Sequence, residues 1–548
     1  MNRNFWFFLI LMLLVVGCGK RQTPKLIVYI SIDQMRADYL SDSLYGQFFT
    51  NDGFKKLMKN GNYFTSCFHE HACTMTGPGH ATLGTGAYAH KTGIVANEFY
   101  DAGSASFNYC VFDSTSSIIS PEGLVSKKYG VSPNYLLISS VGDEVKKMNP
   151  NSKIFSASIK DRAAILMGGK NPDGVFWYHS KYGGMVSSTF YFDTLPDWIK
   201  NFNENMTPFI EHIAKAGWKR MLNEEQYIAL LGPDDRAGEV NRKTMGTVFP
   251  HYLTSKDSLN MKEVSSNIRY TPYGDELLLK FAKELITKEQ LGKDENPDVL
   301  TLSFSATDYI GHTFGPYSHE MMDQIVRLDQ MMGELISFLD ENIGSEHYIL
   351  ALSADHGVCP LPEYLESIGI ESGRIDGAKV DSLLAGVFNN YGIDSPIKKI
   401  TSNYVYLNEK ALNKYQKHRD SILKEMKQKI KAIQGIATIY DETEILAFPE
   451  TDKIKHRIKQ SYYKDRSGHF YILVKPYYFF GYPGSKGGTT HGTPYEYDAK
   501  VPCILYGNGL NSSIIHKKIG TADIAVTLIN LAGVKQVYND RDGKMLFK

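Results

Sequence analysis

From Leu26 to Ile32 the chain is almost wholly apolar, and the run stops on Asp33. The pattern recurs over Asp298 to Phe304, with Asp308 four residues on, and over Tyr348 to Ser353, with Asp355 two residues on. Apolar runs of this length without polar alternation predict strands buried on both faces, and therefore a parallel sheet. Between the last two runs, Met321, Ile325, Leu328, Met332, Leu335 and Leu339 recur at helical spacing and predict a long crossover helix, completing a βαβ unit. Its Met-rich face reads as core packing. Further on, Val501 to Tyr506 is a strand candidate that tolerates Pro502 near its start, and Thr521 to Leu531 is helical; together they are expected to close the sheet. The alternation breaks over residues 170–275 and 361–485, both read as insertions. The second holds a basic helical stretch from His418 to Ile433, read as a solvated face. The expected fold class is α/β, a mostly parallel sheet flanked by helices. Its core covers residues 25–360 and 486–548, with 361–485 inserted.

The amino terminus has a separate pattern. Arg3 precedes an apolar run from Phe5 to Val16, too short to span a bilayer comfortably, so residues 1–20 read as a signal peptide. The run ends in Val15-Val16-Gly17-Cys18, which resembles a bacterial lipobox with Cys18 as the lipidated residue. The expectation is an exported protein, periplasmic or at the cell surface, anchored to a membrane through Cys18. An ordinary cleaved signal or a short anchor would leave export unchanged. Cys67, Cys73, Cys110, Cys359 and Cys503 remain, and an oxidising compartment permits disulfides among them with at least one left over. None has CxxC spacing, so a metal here would use histidine and carboxylate. Lys plus Arg equals Asp plus Glu at 60 each, so no global field favours nucleic acid, and anion binding must be local. Hydrophobic residues make up 43%, enough for a large core.

The chemistry lies at the predicted strand ends, where ligands of open α/β sheets gather. Asp355-His356-Gly357 sets two metal-capable side chains beside a glycine that permits a sharp turn. Asp308 and His312, four residues apart, can face one ion, and His491 in Gly487-Gly488-Thr489-Thr490-His491-Gly492 can bring another imidazole. Thr76, in Thr74-Met75-Thr76-Gly77-Pro78-Gly79-His80, falls at the start of a helix expected near Pro78. There a helix N-terminus favours an alkoxide or phosphate, although a plain Thr N-cap fits the same place. His80 is read as structural, because a metal removes the need for a general base. His69, His71 and His90 are read as surface or turn residues.

Taken in order, Ser31-Ile32-Asp33-Gln34-Met35-Arg36, Thr76-Gly77-Pro78-Gly79-His80, Gly93-Ile94-Val95-Ala96-Asn97-Glu98, Asp308 with His312, Asp355-His356-Gly357 and His491 resemble the alkaline phosphatase superfamily. The resemblance is to its PafA-type alkaline phosphatases and, next, to nucleotide pyrophosphatase/phosphodiesterases. It implies an alkaline-phosphatase-like core with two Zn²⁺, one held by Asp308, His312 and His491, the other by Asp33, Asp355, His356 and the Thr76 oxygen. Thr76 is then the nucleophile, and Asn97, Lys160 and Arg162 bind the phosphoryl group of small-molecule phosphate esters. Lys160 and Arg162 match the two charges of a monoester, whereas a diester brings one. Without the resemblance, both cations read as surface charges after a strand. The sulfatase pattern is absent, since Thr76 is followed by Gly77-Pro78-Gly79-His80 with no arginine. The alternatives are a phosphodiesterase or nucleotide pyrophosphatase with the same metals, and a noncatalytic surface lipoprotein that binds phosphorylated ligands.

Overall fold

The computed structural model of the chain describes residues 22–255, 259–481, 487–535 and 539–547. The signal peptide and lipobox assigned to residues 1–20 lie outside the described residues. Seven strands position the site: β1 (Leu26–Ile32), β2 (Asn62–Phe68), β3 (Ile154–Ser158), β4 (Gly174–His179), β5 (Asp298–Phe304), β6 (Tyr348–Ser353) and β7 (Lys500–Gly507). They belong to one twelve-stranded sheet in which β2, β7, β6, β1, β5, β3 and β4 lie side by side in that order. From β6 to β4 all pairs are parallel, with Leu26 opposite both Asp298 and Tyr348. Every residue of β1, β5 and β6 is buried, as unbroken apolar runs require in the middle of a two-faced sheet.

Four helices carry the site: α1 (Thr76–Thr85), α2 (Asp161–Gly168), α3 (Ala306–Phe314) and α4 (His319–Asn342). The predicted crossover helix is α4. Ser318 caps it by accepting from the Met321 amide, and Met321, Ile325, Leu328, Met332, Leu335 and Leu339 are all buried.

Two expectations change. Strand β7 pairs antiparallel with β6 but does not close the sheet, because β2 pairs antiparallel on its far side. The 170–275 segment is not wholly inserted either, since β4 continues the parallel block and the helix Pro272–Lys288 is largely buried. Between β6 and β7, Ile397–Thr401, Tyr404–Leu407, Ile436–Asp441 and Phe470–Val474 form a separate antiparallel sheet. Its core includes Leu384, Ile422, Met426 and Ile472. The five cysteines from Cys67 to Cys503 are buried and unpaired.

Candidate active site

The carboxyl ends of β1, β5 and β6 meet, bringing three carboxylates together. Asp33 follows β1 directly, and its amide donates to the Phe304 carbonyl at the end of β5. Gln34 then turns the chain at φ 68°, a left-handed conformation unusual outside glycine. From that turn its amide donates to Asp355 Oδ1 (3.1 Å) and its Nε2 donates to Asp308 Oδ1 (2.8 Å). Gln34 thus ties the three carboxylate-bearing segments to one another.

Helix α1 is buried at all ten positions, although its sequence TGPGHATLGT has poor helix propensity. Close packing requires the glycines. A Cβ on Gly79 would lie 2.2 Å from the Asp355 carbonyl oxygen, and one on Gly84 would lie 2.5 Å from the Leu166 carbonyl oxygen of α2. Thr76 is the first helical residue, two positions before Pro78. Met75 occupies the N-cap and no side chain caps the helix, so Thr76 is not a capping threonine. Its Oγ1 instead accepts from Arg162 Nη2 (3.2 Å) and Lys160 Nζ (3.4 Å). Asn97 Oδ1 accepts from the Gly77 amide (2.7 Å), which leaves the side-chain NH₂ as a donor.

Asp308 and His312 lie one turn apart on α3, with His312 Nε2 3.2 Å from Asp308 Oδ1. His491 Nε2 is 3.5 Å from the same oxygen. The opposite nitrogens are tied to backbone, His312 Nδ1 to the Thr489 carbonyl (2.7 Å) and His491 Nδ1 to the Thr74 carbonyl (2.6 Å). Such carbonyl contacts fix the tautomer and aim Nε2 at an ion. His356 stacks on His491 with ring centroids 3.5 Å apart, and its Nε2 lies 3.2 Å from Asp355 Oδ2 and 3.6 Å from Asp33 Oδ1.

The donor set fits metal ions. Asp33 Oδ1, Asp355 Oδ2 and His356 Nε2 are completely buried yet make no hydrogen bond, a cost that cation coordination removes. Asp308, His312 and His491 converge as one group of potential ligands, and Asp33 joins Asp308 and His356 in an overlapping one. A metal-dependent centre follows from this chemistry.

Charge is concentrated here. Burial, followed by the neighbouring Asp355 carboxylate, raises the Asp33 pKa to about 6, against the pull of Lys160. Burial also raises Asp308 and Asp355, but electrostatic attraction from nearby side chains outweighs it and holds both well below the usual carboxylate range. These side chains are His312 and Lys160 for Asp308, and His356 and His80 for Asp355. His491 is pushed down to about 3 by burial and the nearby His356, so it stays neutral and able to ligate. Lys160 is 3% exposed and bridges the carboxylates, 2.8 Å from Asp33 Oδ2 and 2.5 Å from Asp308 Oδ2.

All ten residues singled out from the sequence lie around this one centre, and Lys160 is a buried cation rather than a surface one. His80 holds structure: Nδ1 lies 2.9 Å from the Thr76 carbonyl and 3.1 Å from Asp355 Oδ2, and Nε2 lies 2.9 Å from Ser303 Oγ. His69 and His71 are not surface residues. Both are buried, His69 Nε2 2.8 Å from the Ala354 carbonyl and His71 Nε2 3.1 Å from His69 Nδ1. The sequence reading missed Tyr109, whose hydroxyl accepts from Arg162 Nη1 (3.2 Å) and donates to Asp161 Oδ1 (2.5 Å). It also gave Gln34 no role, although the residue stands inside a motif beside Asp33.

The family described as Type I phosphodiesterase / nucleotide pyrophosphatase matches residues 27–494. The chain is 31% identical over 525 residues to a protein of Myroides odoratus named calcium-transporting ATPase, spanning 95% of this chain and 94% of that one. It is 31% identical over 517 residues to alkaline phosphatase PafA of Elizabethkingia meningoseptica, spanning 93% and 92%. The crystal structure of wild-type PafA superposes with a TM-score of 0.88 at 30% identity, covering 96% of this chain and 99% of that one.

Proposed function

Because the chain belongs to the Type I phosphodiesterase / nucleotide pyrophosphatase family, we propose that it is an alkaline phosphatase that uses two Zn²⁺ and hydrolyses phosphate monoesters through a phosphothreonine at Thr76. The observation that carries the monoester reading is the convergence of Lys160 and Arg162 on Thr76 Oγ1, at 3.4 and 3.2 Å. A monoester presents two negative charges at the phosphorus and a diester one, so two cations at the nucleophile favour the monoester. The similarity to PafA supports the same reading.

Asp308, His312 and His491 would hold one ion, and Asp33, Asp355, His356 and Thr76 Oγ1 the other. When bound, the ions supply Lewis acidity that lowers the hydroxyl pKa and offsets charge on the departing oxygen. Thr76 Oγ attacks phosphorus as the ester P–O bond breaks, giving phosphothreonine and the alcohol. Water then cleaves the Oγ–P bond, releasing phosphate and restoring the hydroxyl. Lys160, Arg162 and the Asn97 NH₂ hold the phosphoryl oxygens through both steps. His80 keeps Asp355 and the start of α1 in register.

The test is turnover of phenyl phosphate, methyl phenyl phosphate and ATP by the zinc-loaded protein, beside Thr76→Ala and Lys160→Ala. ATP is included because one relative is named an ATPase. Monoester preference that disappears in Thr76→Ala and shrinks in Lys160→Ala is expected. Diester preference indifferent to Lys160→Ala would move the chain to the phosphodiesterase reading. The N-terminal pattern extends the proposal to an exported lipoprotein anchored through Cys18, so Cys18→Ala should shift the protein from the membrane to the soluble fraction.

A further inference from the structure

Lys160 and Arg162 also line a cavity of ≈190 Å³ whose other walls include Trp177, His179, Arg269 and Tyr309. Tyr309 follows Asp308 on α3 and has two cations near its ring. Lys160 Nζ is 5.1 Å from its ring centroid and Arg269 Cζ is 5.0 Å from it, so the two groups are at most about 10 Å apart. The Arg269 guanidinium is also 5.4 Å from the Tyr270 ring, which itself lies 5.0 Å from Tyr309. Two tyrosines therefore hold Arg269 in the wall of the cavity that Lys160 and Arg162 also line.

Arg269 has no carboxylate within ion-pair distance among the described residues. Its Nε donates to the Ser266 carbonyl (3.2 Å), which leaves the terminal nitrogens as an open fork. Asp161, a carboxylate in the cavity wall, is engaged by the Tyr109 hydroxyl (2.5 Å) and the Arg162 amide (2.7 Å). Arg242 adds positive charge beside Tyr270, with Cζ 3.4 Å from its ring centroid and Nη2 donating to Asn267 Oδ1 (3.3 Å). An arginine stacked on tyrosine is often only packing. Here it lines the same cavity as Lys160 and Arg162, and no carboxylate among the described residues lies within ion-pair distance of it.

We propose that Arg269 binds a second anionic group, a carboxylate or a phosphate, on the leaving group, so that the enzyme prefers small phosphate monoesters carrying another negative charge. The guanidinium fork matches both groups in bidentate geometry. The cavity is smaller than the roughly 300–1,000 Å³ typical of drug-sized ligands, so the favoured leaving group has only a few heavy atoms. The inference rests on the phosphomonoesterase reading given under Proposed function.

The experiment measures kcat/KM on two matched pairs with the zinc-loaded full chain, Arg269→Ala and Arg269→Lys. The first pair is glycerol 1-phosphate and 3-phosphoglycerate, which tests a carboxylate. The second is 1,3-propanediol phosphate and its bisphosphate, which tests a phosphate. Arg269→Ala should lower the charged-to-neutral ratio by about tenfold for at least one pair, the loss expected for a charge-assisted hydrogen bond, and the pair that responds identifies the anion. Arg269→Lys, which keeps the charge and the stem, should recover part of it, and it serves as the probe if the alanine variant does not fold. A ratio that moves less than threefold for both pairs overturns the inference while leaving the phosphomonoesterase reading intact. Failure of the unsubstituted protein to hydrolyse any of the four esters overturns both.

Discussion

Gly79 and Gly311 both keep a methyl group out of the centre, with different physical consequences. At Gly79 the Cβ would meet backbone, the Asp355 carbonyl oxygen at 2.2 Å; at Gly311 it would meet the end of a flexible side chain, Gln34 Oε1 at 1.7 Å. Gly79→Ala must therefore separate α1 from β6 and should cost about 1–3 kcal/mol of stability and most activity. Gly311→Ala should cost less stability than Gly79→Ala, because a side chain rather than backbone must move, and lower kcat by about tenfold, because Gln34 loses its hold on Asp308. Equal losses of stability in the two variants would contradict this account. Lys160 offers a sharper test, since it is the buried cation between Asp33 and Asp308. Lys160→Ala in chelated protein strands two carboxylates and should cost about 3–5 kcal/mol, whereas zinc loading should restore much of the difference. Thermal denaturation of both forms measures it.

Among the elements, α1 owes its helix to its surroundings, because three glycines and a proline in ten residues favour helix only when packing imposes it. The first turn of α4 holds a second buried acidic group. Glu320 is fully buried with Oε1 2.8 Å from His251 Nε2. Burial, then the Glu320 and Asp234 carboxylates, pushes Glu239 up to about 9. An unfolded glutamate ionises near pH 4.3. Between these values the folded state holds a proton that the unfolded state has released, so this contribution to stability falls as pH rises from about 4.3 through 9. Glu239→Gln removes the ionisation, and its Tm should gain on the parent with rising pH, reaching about 5 °C by pH 9. A difference flat across that range would refute it. Strands β1, β5 and β6 of the parallel block were legible because both faces are buried in unbroken apolar runs, whereas β3 and β4 went unrecognised. Strand β2 was not legible either, since NYFTSCF mixes polar and apolar positions and is only partly buried.

At the scale of the whole molecule, the proposed ligands run from Asp33 to His491, so metal binding should clamp distant segments of the chain together. Ions that bind only the folded state stabilise it by about 2.7 kcal/mol at a hundredfold excess over Kd. Chelation should therefore lower Tm by several degrees and zinc should restore it; an unchanged Tm after verified metal removal would count against the two-zinc reading. The sequence by itself determined what short-range physics can encode. Apolar runs specified the central strands, one helical turn placed Asp308 with His312, adjacency joined Asp355 to His356, and the ordered motifs pointed to the right superfamily. Only the tertiary structure decided that Lys160 is buried between carboxylates, that His69 and His71 lie in the core, that β2 lies beyond β7, and that Arg269 stands beside Tyr309. Spacing along a chain constrains neighbours within a turn or a strand. Contacts between distant segments depend on strand order and on which side chains the packed helices press together.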